Sequence, residues 1–278
     1  LEFNILKIGD FLKYLTQLIN LLALYPAVLV KVVRTQGSAP RDSGSWMAVF
    51  SHTLVGTIGG GHLEFQAVAL AKEILAGRAA LPGLQTVPLG PALGQCCGGV
   101  VVLEYRCVSQ ADTAFLQQAL RPALQPLALF GGGHVGHALV KVLTELPFAL
   151  RWIDSRDEVF PKQLPEQVMT EHSDPVHAAV ADLVPGSKVL IMSFSHAEDL
   201  DILSACLMRM RVSADLPYVG LIGSASKWAR FRHRLEERGF GAEDFARVTT
   251  PIGMSGIESK LPEVIAVSVA AQLLQTSQ

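Results

Sequence analysis

Four groups of residues in this sequence have types and spacing suited to chemistry. Gly131-Gly132-Gly133-His134-Val135-Gly136 satisfies G-x-G-x-x-G, follows an apolar run at 127–130 and opens a helical pattern. Glycines there permit a tight turn and close approach of backbone to ligand, and a helix N-terminus presents free N–H groups to a phosphate. The next apolar run ends at Asp154, 23 residues after Gly131, where a carboxylate would meet a ribose 2′-hydroxyl. Arg156, two residues on, suits a 2′-phosphate instead, so NAD against NADP stays open. So does the simpler reading, a glycine-tight turn in a Rossmann-like domain that binds nothing.

The second group is Gly59-Gly60-Gly61-His62-Leu63-Glu64, again between a strand pattern and a helix pattern. Three glycines before a helix can form an anion-binding nest, with His62 and Glu64 offered to a polar heterocycle. The alternative is a flexible turn in which Glu64 merely favours the helix dipole. The third group is the vicinal pair Cys96-Cys97, flanked by Gly94 and by Gly98-Gly99. Adjacent side chains splay apart and no C-x-x-C partner exists, so the pair poorly suits a structural zinc. Exposed thiolates there would bind a soft metal centre or carry a persulfide; buried, they would act as small hydrophobes, as Cys107 and Cys206 are expected to do.

The fourth group is spread over later turns. Ser193-Phe-Ser-His196-Ala-Glu-Asp199 follows a strand, which puts His196 at the carboxyl edge of a sheet, where open α/β sheets bind ligands. Gly223-Ser224-Ala-Ser226-Lys227 follows the next strand and leads into a helix. Trp228, Phe231 and Leu235 of that helix form an apolar stripe that reads as core; Lys227, Arg230, Arg234 and Arg238 read most simply as a solvated face. No nucleophile elbow, P-loop or H-E-x-x-H motif occurs.

The elements that must position these groups follow from periodicity. Residues 11–24 have helical spacing, 27–33 form a β-branched run, 46–50 and 53–58 read as strands, 62–75 as a helix and 100–105 as a strand. After Arg121-Pro-Ala-Leu-Gln-Pro126 the rhythm changes to alternating strand (127–130, 148–153, 188–194, 218–222) and helix (135–145, 176–183, 200–211, 226–238, 262–274), the signature of a parallel sheet with helices on both faces. The boundary is therefore placed between 1–122, an α+β domain with 9 basic and 7 acidic residues, and 123–278, a Rossmann-like doubly wound domain with 14 and 18. The predicted class is α/β.

Composition excludes several functions. With 278 residues, 50% of them hydrophobic, the chain is long enough for two cores. A net charge of −2 argues against nucleic acid as a ligand. The 17 residues between Lys13 and Lys31 are too short and too interrupted for a membrane span, and the first residues lack a signal peptide's basic n-region. Four cysteines, two adjacent, do not make a disulfide framework, so a reducing cytoplasm is expected.

The motifs together closely resemble the XdhC family, accessory proteins that mature xanthine dehydrogenase and related molybdenum hydroxylases. The resemblance is carried by Val33-Arg34-Thr-Gln-Gly-Ser-Ala-Pro-Arg41, Gly56-Thr-Ile-Gly-Gly-Gly-His62-Leu-Glu64 and Leu89-Gly-Pro-Ala-Leu-Gly-Gln-Cys96-Cys97-Gly-Gly99. It continues through Leu129-Phe-Gly-Gly-Gly-His134-Val-Gly136, Ile153-Asp154-Ser-Arg156, Gly220-Leu-Ile-Gly-Ser224, Pro251-Ile-Gly253 and Pro262-Glu-Val-Ile-Ala-Val. The family often has Ala where this chain has Gly132, a change the turn is expected to tolerate.

The resemblance implies a chaperone that binds the molybdenum cofactor (molybdopterin), protects it while a cysteine desulfurase supplies the sulfido ligand, and passes it to the apo-hydroxylase. Cofactor-binding residues are then expected at Gly59, Gly60, Gly61, His62, Glu64, Cys96, Cys97, Gly131, Gly133, His134, Gly136, Asp154, Arg156 and His196, with Cys96 and Cys97 as metal ligands or sulfur relays. The cofactor is expected between the domains, and a homodimer accords with the high apolar fraction. The rival from another class is an NAD(P)-dependent oxidoreductase with His196 as its acid/base group, which leaves the cysteine and Gly59 loops without a role. A third is a docking protein that recruits the hydroxylase without holding cofactor.

Overall fold

The computed structural model describes residues 8–89 and 98–276, with side chains from residue 13 onward. Cys96 and Cys97 lie outside the described residues. The chain divides into two compact units, one containing Asp10–Pro122 and the other Ala123–Gln278.

The first unit contains α1 (Ile8–Leu22), β1 (Ala27–Gln36), β2 (Trp46–Val49), β3 (Leu54–Gly56), α2 (Gly61–Leu75), β4 (Leu84–Pro88), β5 (Val100–Val108) and α3 (Thr113–Ala119). Its five strands form an antiparallel sheet in the order β3-β2-β1-β5-β4. β1 is central, and its side chains alternate between two buried faces. Val28, Val30 and Val32 pack with Leu63, Ala67 and Ala71 of α2, whereas Ala27 and Leu29 pack with Leu15, Leu18 and Leu22 of α1. That double covering is why Ala27 to Val30 is an unbroken apolar run instead of alternating with polar residues. A register shift between Val32 and Arg34 interrupts the β1–β5 ladder just before the strand ends.

The second unit contains β6 (Gln125–Phe130), α4 (His134–Leu143), β7 (Phe148–Asp154), β8 (Val168–His172), β9 (Lys188–Ile191), α5 (His196–Val212), β10 (Tyr218–Leu221), α6 (Ala225–Glu237), α7 (Ala242–Phe245), β11 (Val248–Thr249) and α8 (Pro262–Gln275). Its six strands are all parallel, in the order β11-β10-β9-β6-β7-β8. Read from β8, that is the doubly wound 3-2-1-4-5-6 arrangement. Leu127 and Leu129 of β6 share a core with α4 and α8, while Ala128 and Phe130 share the opposite one with α5 and α6. The α/β class and the Rossmann-like sheet stand as the alternation of elements predicted.

Several expected elements differ. The helix expected at 176–183 is a 3₁₀ turn, Val176–Val180. The strand expected to run to Phe194 ends at Ile191, which frees Met192 to Ser195 for the carboxyl edge of the sheet. Lys188, at the start of β9, is buried and donates from Nζ to Leu273 O at 2.7 Å and Thr276 Oγ1 at 2.9 Å, capping the last turn of α8. Among the described residues no helix is long and apolar enough to cross a membrane.

Candidate functional site

The chain reverses its winding between β6 and β9, and the crevice outside the carboxyl ends of those strands is where doubly wound sheets bind ligands. Sterics dictate two glycines there. A Cβ on Gly131, whose φ is +126°, would stand 2.0 Å from Met192 O, and one on Gly136 would stand 2.2 Å from Gly131 O. Glycine at 131 thus lets the β6–α4 turn press against the end of β9, and glycine at 136 lets α4 close on the turn. Gly133 meets nothing within 4 Å and serves as the N-cap of α4. At Gly132 a Cβ would lie 2.8 Å from Val159 Cγ2, so alanine there requires Val159 to shift, contrary to the expectation of easy tolerance.

Asp154 ends β7 directly beside this turn, and its side chain is 1% exposed. Its Oδ2 accepts from Gly132 N at 2.6 Å and Arg156 Nη2 at 2.9 Å; its Oδ1 accepts from Arg156 N and Nε, both at 2.9 Å. Burial pushes the carboxyl up, but the Arg156 guanidinium and the two backbone N–H groups more than offset this and hold it below the usual carboxylate range. The Arg156 guanidinium lies 4.6 Å above the ring of Phe194, which is 67% exposed. Thus the two residues that separate NAD from NADP readings are bonded to each other.

The loop after β9 is held from below. Ser193 donates from both N and Oγ to Asp199 Oδ1 at 2.7 Å, and Lys227 Nζ donates to Asp199 Oδ2 at 2.6 Å and to Ile222 O at 2.7 Å. Asp199 and Lys227 are both buried. This corrects the reading of Lys227 as part of a solvated stripe: its stem folds back over Gly223, where a Cβ would stand 2.5 Å from Lys227 Cδ. Neither Asp199, Lys227 nor Phe194 was named as a site residue from sequence. The available signal was Gly223 four residues before Lys227, a spacing that permits the stem to return over the turn. Glu198 accepts from Ser155 Oγ at 2.6 Å, tying α5 to the end of β7. His134 and His196 open α4 and α5 and are exposed; His196 makes an edge contact with Phe231.

In the first unit three sequence blocks meet. A Cβ on Gly59 would stand 2.6 Å from Pro40 Cβ, and one on Gly99 would stand 2.3 Å from Ser38 O. The loop after β1 is therefore clasped by the Gly59 turn and by the segment that leads into β5. Gly59, Gly60 and Gly61 all have left-handed φ values, so the turn is built for glycine. Its N–H groups face inward onto Glu64, whose Oε2 accepts from Ile58 N at 3.0 Å, Gly60 N at 3.2 Å and Thr57 Oγ1. Glu64 occupies the nest that a ligand anion would use. His62 is exposed, with Nε2 2.9 Å from Gln66 Nε2. Among the described residues no cluster of three or more His, Cys, Asp or Glu could hold a metal ion.

Comparison with known proteins bears on this arrangement. A family model described as the XdhC Rossmann domain matches residues 127–273, and one described as the XdhC and CoxI family matches residues 23–87. The chain belongs to the XdhC family. It is 29% identical over 257 residues to the uncharacterised protein YqeB of Escherichia coli strain K12, covering 90% of this chain. The chain spans 43% of the length of that curated relative. The crystal structure of a xanthine dehydrogenase from Bacillus halodurans aligns with a TM-score of 0.73 at 20% identity, covering 96% of this chain and 95% of that one. At that identity the likeness shows the fold. The matched segments contain the Ser38 loop, the Gly59 turn, the Gly131 turn, Asp154 and the Ser193–Lys227 network, while Gly99 lies between them.

Proposed function

We propose that this XdhC-family chain matures xanthine dehydrogenase or a related molybdenum hydroxylase by binding the molybdenum cofactor, holding it while a cysteine desulfurase supplies sulfur, and passing it to the apo-enzyme. The observation that carries the reading is the clasp in the first unit. Gly99 packs against the backbone of Gln36 and Ser38, Gly59 packs against Pro40 and Arg41 of the same loop, and Gly99 is joined through Gly98 to Cys97 in the sequence. A glycine-built turn, together with two thiols that stand close to Gly99 in the sequence, would suit a pterin with a soft metal centre. Thiolates of Cys96 and Cys97 would contact the metal or relay sulfur.

Within this reading the residues divide by what they are free to do. His62 is open to a ligand, whereas Glu64 is committed to its own turn and acts by shaping it. Gly131 and Gly136 act sterically, and the first turn of α4, including His134, presents N–H groups that its own helix cannot satisfy. The alternative of an NAD(P)-dependent oxidoreductase loses support in its NAD form because Asp154 is already fully engaged, and its one acid/base candidate, His196, sits exposed on the first turn of α5.

The test is retention of molybdenum cofactor by purified protein after desalting. Wild type is expected to retain it, and the Cys96→Ser/Cys97→Ser variant to lose it. Equal retention and equal sulfuration by the variant would remove the cysteines from the mechanism.

A further inference from the structure

We propose that Arg156 makes the switch-point crevice of the Rossmann unit selective for a ligand bearing a phosphomonoester, and closed to the free ribose diol of an NAD-type nucleotide. The inference deepens the proposed function, on which it rests only in placing a phosphorylated ligand on this chain.

The argument is one of hydrogen-bond capacity. A carboxylate offers about four acceptor directions. On Asp154 four N–H groups already fill them: those of Gly132 and Arg156 in the backbone, and Nε and Nη2 of the Arg156 side chain. A ribose hydroxyl would have to displace one of these donors from a buried carboxylate, leaving either a guanidinium or a backbone N–H unpaired. The diol-binding role of this position is therefore already taken.

What the crevice does present is the remaining edge of the guanidinium. Nη1 and the second N–H of Nη2 are not used by Asp154, the side chain is 35% exposed, and its central carbon lies 4.6 Å from the centre of the Phe194 ring. A guanidinium held along one edge by a carboxylate and lying over a ring is a pre-formed fork for phosphate oxygens. Of the neighbouring carboxylates, Asp157 lies 3.4 Å from His172 Nε2, and Glu198 accepts from Ser155 Oγ through Oε1 while its buried Oε2 has no hydrogen-bond partner and its charge acts on Arg156, a competing field that a phosphate at the fork must overcome. The exposed Phe194 ring adds a surface for a flat heterocycle. A heterocycle joined to a phosphomonoester is common to a 2′-phosphorylated adenine nucleotide and a phosphorylated pterin.

Titration calorimetry of the full chain with NADP⁺ and with NAD⁺ tests this. NADP⁺ is expected to bind about tenfold more tightly or better, and R156Q to abolish the difference. R156K, which keeps the charge but not the fork, is expected to fall between them, and it serves if R156Q fails to fold. NAD⁺ binding as tightly as NADP⁺, no heat from NADP⁺ at millimolar concentration, or a preference that survives R156Q would each overturn the inference.

Competition distinguishes the sources. Displacement of bound molybdenum cofactor by NADP⁺ identifies one phosphate site used by the pterin; simultaneous binding identifies a nucleotide site. Both results uphold phosphate selection provided the NADP⁺ preference is present. Cofactor retention without that preference sinks this inference and leaves the proposed function intact, whereas the preference without cofactor retention does the reverse.

Discussion

Lys227 Nζ lies 2.6 Å from Asp199 Oδ2 across 28 residues of sequence, and the two side chains are 9% and 3% exposed. The pair joins the start of α6 to the first turn of α5, and through Ser193 it reaches the loop that abuts Gly131. Its ammonium is further satisfied by Ile222 O and faces the Phe231 ring at 5.3 Å.

Removing one partner of this pair leaves an uncompensated charge in the interior. Lys227→Met is expected to lower unfolding free energy by about 3–5 kcal/mol, read from urea denaturation midpoints. The double variant Lys227→Met/Asp199→Leu is expected to recover part of the loss, because no buried charge remains. A single variant within about 0.5 kcal/mol of wild type would show that the pair contributes nothing to stability.

Acid sensitivity should carry the mark of Asp154. Its folded-state pKa is depressed, so the stabilisation it provides is fully present above the unfolded value of about 3.9 and is lost as pH falls through the folded value. Asp154→Asn is therefore expected to flatten the stability profile below about pH 4 relative to wild type. Parallel profiles for the two proteins in denaturation measured from neutral to acid pH would contradict the assignment.

The glycines of the Rossmann turn are expected to divide sharply on substitution. Gly131→Ala places a Cβ 2.0 Å from Met192 O at a left-handed φ, and a loss of about 3 kcal/mol or more, or failure to fold, is expected. Gly133→Ala meets nothing within 4 Å, and a change within about 1 kcal/mol is expected. Thermal melting of the two variants checks the contrast.

Glu64→Ala strips the Gly59 turn of the acceptor for Ile58 N, Gly60 N and Thr57 Oγ1. A loss of about 1–3 kcal/mol is expected, with faster hydrogen exchange at the Ile58 and Gly60 amides. Glu64→Gln, which keeps one carbonyl acceptor, is expected to lie between wild type and alanine.

Much of this molecule was legible in its sequence where the cause is local. The alternation of strands and helices after residue 126 gave the parallel sheet, and the glycine spacing with Asp154 at the next strand end located the turn and its neighbour. Local patterns failed where a tertiary partner decides the outcome. Lys227 shares its helix face with arginines, and only Asp199, brought alongside by the order of β9 and β10, turns it inward. Likewise Arg156 read as an alternative to Asp154 because sequence cannot show that the two groups bond. β4 escaped notice because it is an edge strand of alternating partial exposure, ending at a proline.

The lysine cap on α8 also bears on how the second unit is made. Leu273 O and Thr276 Oγ1 quench the Lys188 ammonium 85 and 88 residues earlier, and α8 covers the same face of the sheet as α4. During synthesis the β9 segment therefore emerges long before these two acceptors do. Until α8 follows, that sheet face lacks part of its apolar cover, so completion of this core waits on contacts of long sequence separation.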